Sequence, residues 1–239
     1  MQVLKIQARG LTTSFRYPHF MMGVQPTYDM PPPATLYGHI ASALGRWFDP
    51  AEARFAVRFT YRRKLEDVET TILLKPGRGK LPGNKTMPKA LEGNPNPFRR
   101  EILFFPHLTL YIDRPDWLEA FQHPRYPVVL GRSQDLFTYT RVEIITLQPT
   151  QEAYLENTLL PYAFARRTAA GRVVIMPRWL DVRNNRRPTF EQYVILRGRV
   201  HTRQFLRFGQ EPDPELWADP TEPEIQGDPM GLVFHRWSS

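Results

Sequence analysis

Residues 2–9 alternate, with Val3, Lys5 and Gln7 against Leu4, Ile6 and Ala8. A period of two predicts a strand with one apolar face. The pattern breaks at Gly10, and a loop over 10–33 ends in three consecutive prolines, Pro31 to Pro33. Leu36, Ile40, Leu44 and Trp47 then recur at helical spacing, which predicts a helix over 34–48 with these four as its buried stripe. Phe48-Asp49-Pro50 ends it. Residues 55–63, FAVRFTYRR, alternate Phe55, Val57, Phe59 and Tyr61 against Ala56, Arg58, Thr60 and Arg62, a strand; 67–75, DVETTILLK, read as a second.

The stretch 76–97, PGRGKLPGNKTMPKALEGNPNP, is too rich in Gly, Pro and Asn for a regular core element. Together with strands 55–63 and 67–75 it predicts an extended hairpin reaching from the body; a plain surface loop is the alternative. A strand resumes over 101–112, bent at Pro106, followed by a short helix over 115–123 that opens on a proline. PVVL at 127–130 enters GRSQD at 131–135, and 138–147 alternates again as a strand. The order β-α-β-(hairpin)-β-α-β predicts an α+β chain with a split-βαβ, ferredoxin-like domain over residues 1–150 and a thumb at about 64–100. Residues 151–208 read as a smaller β-rich region: 154–165 is helical up to Pro161, and GRVVIMPRWLDV and EQYVILRGRV are strands. Residues 209–239 read as an acidic, proline-rich, extended tail, with Leu232, Val233, Phe234 and Trp237 available to pin its end.

Charge turns the question from fold to partner. The 239 residues carry a formal net charge of +8, which favours a polyanion. Residues 151–208 hold eleven Arg against four acids, whereas 209–239 hold one Arg against seven acids. After residue 100 no Lys occurs. Arg forks grip phosphate in two places and stack on bases, as Lys does not. A solvated basic face on an Arg-rich protein is the plainer reading. The absence of cysteine excludes disulfides and thiolate metal sites and fits a cytoplasmic location. The start MQVLKIQARGL is too short and too charged for a signal peptide, and no run is long and apolar enough to span a membrane, so a soluble protein is expected.

Candidate chemistry is sparse. The six histidines are scattered, no HExxH or phosphate-binding glycine motif occurs, and no cofactor or metal is expected. Metal-independent RNA cleavage needs a His, Tyr or Lys set near one 2′-hydroxyl; His107, Tyr61, Tyr37 and Lys75 are the candidates, each with an ordinary structural role as the alternative. The segment 14–45, SFRYPHFMMGVQPTYDMPPPATLYGHIASALG, is the most informative. Prolines restrict the loop, Arg16, Tyr17, Phe20 and Tyr28 offer charge and flat rings, and the helix start offers N–H groups and a positive dipole end. Gly38, Ala41, Ser42 and Gly45 permit close approach of another element or of an RNA backbone. In GRSQD, Gly131 allows a tight turn, Arg132 and Ser133 suit a phosphate, and Asp135 caps the turn or pairs with Arg132; a plain β-turn with a salt bridge explains it equally well.

At these two places the chain resembles a known family. SFRYP…PTY…PPPATLYGHIASALG is similar to the N-terminal signature of the Cas-five family, the small RAMP subunit of type I CRISPR Cascade complexes, and LGRSQDLF at 130–137 resembles that family's second block. The resemblance covers about residues 1–150. It implies a ferredoxin-like, RNA-recognition-motif-like domain with a thumb, capping the 5′ handle of CRISPR RNA. The implied partners are the Cascade backbone subunit, the large subunit and, through the assembled complex, target DNA. By position it implies RNA contacts at Ser14, Arg16, Tyr17 and Tyr28, at the helix start with Thr35, Tyr37 and Gly38, and at Arg132 and Ser133. Lys75, Arg78, Lys80, Lys85 and Lys89 fall on the thumb. The chain looks more like the non-cleaving branches, such as type I-B; an endoribonuclease of the type I-C kind is the alternative.

Overall fold

The elements that position the site are β1 (Gln2–Gly10), α1 (Pro33–Leu44), β2 (Arg54–Thr60), β3 (Arg63–Pro76), β4 (Leu91–Phe104), β5 (His107–Ile112), α2 (Leu118–Gln122), β6 (Phe137–Thr146), β7 (Thr158–Pro161), β8 (Arg172–Asp181) and β9 (Arg187–Leu196). They are seen in a computed structural model that describes residues 1–20, 23–206 and 215–238. The expected tail and basic region therefore lie partly outside the described residues, at 207–214 and 239.

Most strands join one eight-stranded sheet in the order β6-β1-β5-β2-β7-β9-β8, with His235–Arg236 added along β2. The first four strands of that order are antiparallel neighbours. Alternation decides which side of each strand is buried. Leu4, Ile6 and Ala8 of β1, Phe55, Val57 and Phe59 of β2, and Leu108, Leu110 and Ile112 of β5 pack in one core with Leu36 and Ile40 of α1 and with Phe121 of α2. Each buried Leu, Ile, Val or Phe side chain among them contributes about 1.5–3 kcal/mol. On the opposite face Val3, Ala56, Tyr111 and Ile145 are covered by Tyr154, Met230 and Leu232. These last three belong to a five-stranded sheet of short strands from 148–155, 200–201 and 216–232. Lys5 points into the same face. Its Nζ donates to Asp219, Glu222 and Thr221 at 2.7, 2.8 and 2.9 Å, and the Tyr111 hydroxyl also donates to Asp219, at 2.8 Å.

Several expectations are revised. The helix stops at Leu44 because Gly45 takes a left-handed φ of 70°, and Trp47 beyond it is exposed rather than buried. Strand 55–63 belongs to the body, and the thumb is instead β3 paired with β4, residue for residue from Arg63↔Phe104 to Pro76↔Leu91. Pro95 and Pro97 are tolerated in β4 because a two-stranded ribbon leaves each strand an edge that needs no ladder donor. The bend expected at Pro106 is a complete break between β4 and β5, with Phe105 at φ 52°. The helix expected from 154 up to Pro161 is absent: Tyr154–Leu155 and Thr158–Pro161 are strands, and one 3-10 turn follows at Tyr162–Arg166. Residues 158–196 extend the main sheet beyond β2, so position 150 is no sheet boundary. Trp237 lies fully buried in the core. Its indole stacks on Phe55 at 4.4 Å, and its Nε1 donates to the Pro33 carbonyl at 2.8 Å, holding the start of α1. No helix among the described residues is long and apolar enough to cross a membrane.

Candidate nucleic-acid interface

The loop after β1 folds back on itself. The Tyr28 N–H donates to the Phe15 carbonyl at 2.9 Å, the Phe15 N–H donates to Thr27 Oγ1 at 2.7 Å, and Arg16 and Thr27 form a bridge. The loop is tied to the thumb base as well: Ser14 Oγ donates to the Glu101 carbonyl at 2.8 Å, and the Thr27 N–H donates to the Glu101 carboxylate at 2.9 Å. The GRSQD turn packs against the same segment. Gly131 has a φ of 104°, and a Cβ there would lie 2.4 Å from Thr13 Oγ1 and 2.9 Å from the Ser14 carbonyl oxygen, so only glycine fits. Thr13 Oγ1 donates to the Leu130 carbonyl, and Thr12 Oγ1 to Asp135 at 3.0 Å.

Five separate segments thus meet around a cleft of about 290 Å³. It is lined by Ser14, Phe15 and Arg16 of the loop, Pro32 and Thr35 at the start of α1, Arg100 of the thumb, Gly131 and Arg132 of the turn, and Pro177 of β8. Ser14, Arg16, Thr35 and Arg132 are brought together. The positive groups differ in how they are held. Arg132 donates to Asp135 through Nε at 3.0 Å and Nη2 at 2.8 Å, and through Nη1 to Glu69. Arg100 Nε donates to the other Glu69 oxygen at 2.7 Å. The Asp135 hydrogen bond, followed by the neighbouring Asp135 and Glu69 charges, raises the Arg132 pKa against burial. Arg16 is exposed and has no ion-pair partner among the described residues. Glu69 is thus an anion already seated between two guanidinium groups.

Other expected contacts are placed elsewhere. Tyr28 is fully buried, its ring stacked 3.7 Å from Tyr17 and its hydroxyl donating to the Ile175 carbonyl at 2.8 Å, so it presents no face to a base. Burial pushes its hydroxyl well above the ordinary tyrosine range. Tyr17, half-buried, has one face on Tyr28. Tyr37 is buried with its hydroxyl on the Phe48 carbonyl. Gly38 borders a different hollow, with Ala41, Ser42, Gly45, Trp47 and Tyr126. Ser133 is exposed, and so are Lys75, Arg78, Lys80, Lys85 and Lys89; none of these six lines the cleft. The helix start offers fewer donors than expected. Prolines 32 and 33 carry no N–H, and those of Thr35 and Leu36 turn back to the Pro32 carbonyl at 2.8 and 3.1 Å.

The four residues considered for cleavage are not assembled. Tyr61 and His107 border one hollow, but Tyr37 is in the core and Lys75 is on the thumb. Tyr61 Oη donates to Asp29 at 2.9 Å, and Arg197 donates to that hydroxyl. Burial, reinforced by Asp29, pushes Tyr61 up to about 12. Burial alone would raise Asp29, but the Tyr61 hydrogen bond with Lys64 and Arg172 outweighs it and holds the carboxyl below its usual range. His39, inside α1, is a packing residue whose ring nitrogens face the Val129 carbonyl at 2.9 Å and the Tyr139 hydroxyl at 3.0 Å. Among the described residues no group of three His, Asp or Glu is placed to hold a metal ion.

Arg100, Glu69 and Pro177 are site residues that sequence reading missed. Arg100 was legible only as thumb charge, and nothing in the sequence sets Glu69 apart from other strand carboxylates.

Solved structures of CRISPR proteins share this fold. A chain described as a CRISPR RNA-guided surveillance complex is 20% identical, covers 83% of this chain and 91% of its own length, and superposes with a TM-score of 0.52. A CRISPR protein from Archaeoglobus fulgidus is 11% identical, with 99% and 100% of the two chains covered and a TM-score of 0.51. Neither a protein-family profile nor a curated protein sequence matches the chain.

Proposed function

We propose that this chain is a non-catalytic RNA-binding subunit of the Cas-five kind, capping the 5′ handle of CRISPR RNA in a type I, I-B-like effector complex. The observation that carries the reading is the convergence of Ser14, Arg16, Thr35, Arg100 and Arg132 on one cleft at the thumb base. A β-α-β-β-α-β succession with its strands in the spatial order fourth, first, third, second supports a ferredoxin-like description. The shared fold with CRISPR proteins supports the setting. In this reading Arg16 and the two arginines now paired with Glu69 hold phosphates. The exposed basic thumb follows the strand toward the backbone and large subunits, and target DNA is met only through the assembled complex.

RNA copurifying with the chain, after co-expression with its neighbouring genes and a repeat array, is expected to be short guides with one common leading end. Crosslinks from that end are expected on the loop carrying Arg16. Guides whose leading nucleotides crosslink only to another subunit would refute the reading. Incubation with repeat RNA in EDTA is expected to leave it intact; specific cleavage would overturn the non-catalytic part.

A further inference from the structure

The sheet face turned away from the helices is only half covered. Arg9 is opposite His107, and His107 is opposite Thr60, so the three form a row across β1, β5 and β2. Their chain neighbours Ala8, Leu108 and Phe59 point into the helix-side core, so this row faces outward. Val3, Ala56 and Tyr111, at the other end of the same face, are covered by the short-stranded sheet. The row instead borders a hollow of about 490 Å³, closed by Gly10, Tyr61, Arg62, Phe105 and Pro106.

Three features of this hollow are unexplained by folding. Arg9 and Arg62 are exposed and have no carboxylate partner among the described residues, unlike Arg132 and Arg100. His107 Nε2 and, on the neighbouring row of the same face, Arg58 Nε are buried without a hydrogen-bond partner among the described residues. Phe105 is 53% exposed at a φ of 52°, a backbone region that bulky residues avoid. Its ring lies 5.5 Å from the Arg62 guanidinium, and its N–H is fixed on the Leu11 carbonyl at 2.8 Å. A large apolar ring is thus displayed at a strained position, beside two positive charges that no carboxylate among the described residues neutralises.

We infer that this hollow is a second nucleic-acid site, distinct from the cleft at Arg16, that takes one unpaired nucleotide with its phosphate on Arg9 and Arg62 and its base on Phe105. A base in a duplex has no free face for the ring, so the ligand is single-stranded. An acidic peptide would satisfy the arginines but not the ring. The exposed Thr60 hydroxyl, on the same row, supplies a hydrogen-bonding group toward the sugar or base edge. Burial first, and then the Arg9 and Arg58 charges, keep His107 below its ordinary range, so the positive charge of the hollow is that of its arginines. The inference rests on the RNA-capping reading only for the expectation that RNA is the natural strand.

The test uses fluorescein-labelled single-stranded oligouridine and its deoxy counterpart, read by anisotropy, with 4-thiouridine crosslinking to locate contacts. Phe105→Gly removes the ring while relieving the left-handed backbone, so the fold is retained. It is expected to weaken RNA binding by about 5- to 100-fold without lowering the melting temperature. Arg9→Ala is expected to reduce the salt slope by about 0.7. Crosslinks to the Phe105 peptide support the site, and the RNA and DNA arms show which strand it prefers. Wild-type affinity in Phe105→Gly and in Arg9→Ala/Arg62→Ala overturns it, including the case in which this face binds only protein. If Arg16→Ala weakens binding while those variants do not, this inference fails and the capping reading stands; if Arg16→Ala alone has no effect, the reverse holds.

Discussion

Replacing Glu69 by glutamine is expected to tighten RNA binding, because this carboxylate occupies the position a phosphate would take. One of its oxygens receives Arg100 at 2.7 Å and the other receives Arg132. The change keeps shape and one acceptor but removes the competing charge. A charge-assisted hydrogen bond contributes about 1.5–3 kcal/mol. The Glu69 side chain is 26% exposed, so solvent screening lowers the competition to about 1 kcal/mol, or roughly fivefold in Kd. One added phosphate contact steepens the salt slope for a single strand by about 0.7. A rise from about 50 to about 200 mM salt then costs the variant roughly threefold more affinity than wild type. Anisotropy titrations with a short single-stranded RNA across that range read both quantities. Arg132 keeps Asp135, so melting temperature is expected to move little. Equal affinity and equal slope in Glu69→Gln would refute the claim that this carboxylate stands where phosphate binds.

Three further outcomes concern the scaffold. Trp237→Ala is expected to cost about 3–5 kcal/mol in chemical denaturation, since it empties a fully buried site and frees the Pro33 carbonyl; a loss below about 1 kcal/mol would mean that Trp237 does not pin α1. Lys5→Met leaves Asp219 buried without its cation and is expected to cost about 3–5 kcal/mol, with Lys5→Met/Asp219→Asn recovering part of it; a double-variant loss equal to the sum of the Lys5→Met and Asp219→Asn losses would show the pair is uncoupled. Burial pushes His235 down to about 4, against the backbone carbonyl of Leu159 that its Nε2 faces at 2.9 Å. Between about 6.5 and 4 the unfolded chain binds the proton that the folded chain refuses, so stability is complete above about 6.5 and falls with pH across that window, by about 3 kcal/mol for this residue. Denaturation midpoints from pH 8 down to about 4.5 that differ by the same amount in wild type and His235→Gln would refute the assignment.

Periodicity was enough to place β1, α1, the β5 and β6 strands and the short second helix, because the side packed against the main core carries large apolar residues at the element's own spacing, even where the other side of β1 and β5 is covered as well. It misread 154–161 because Leu159 and Leu160, adjacent in the chain, are both buried, in two different cores, so the short segment shows no alternation. It also left out the second strand of the thumb, since a ribbon exposed on its faces needs no apolar alternation and tolerates Pro95 and Pro97. The same limit applies to the interface. Arg16, Thr35, Gly131 and Arg132 were legible as candidates from residue type and from the family resemblance, whereas their meeting at one cleft was not. That Tyr28 is spent on the core, that Glu69 sits between two arginines, and that Arg9, Arg62 and Phe105 share a hollow follow from pairings between residues 31 to 147 positions apart or from one backbone angle. Residue types and their local spacing are written along the chain and set the strands, the helices and the overall charge. Which charges are already neutralised and which rings are still free depends on who ends up beside whom, and that is decided only when the sheet closes its register.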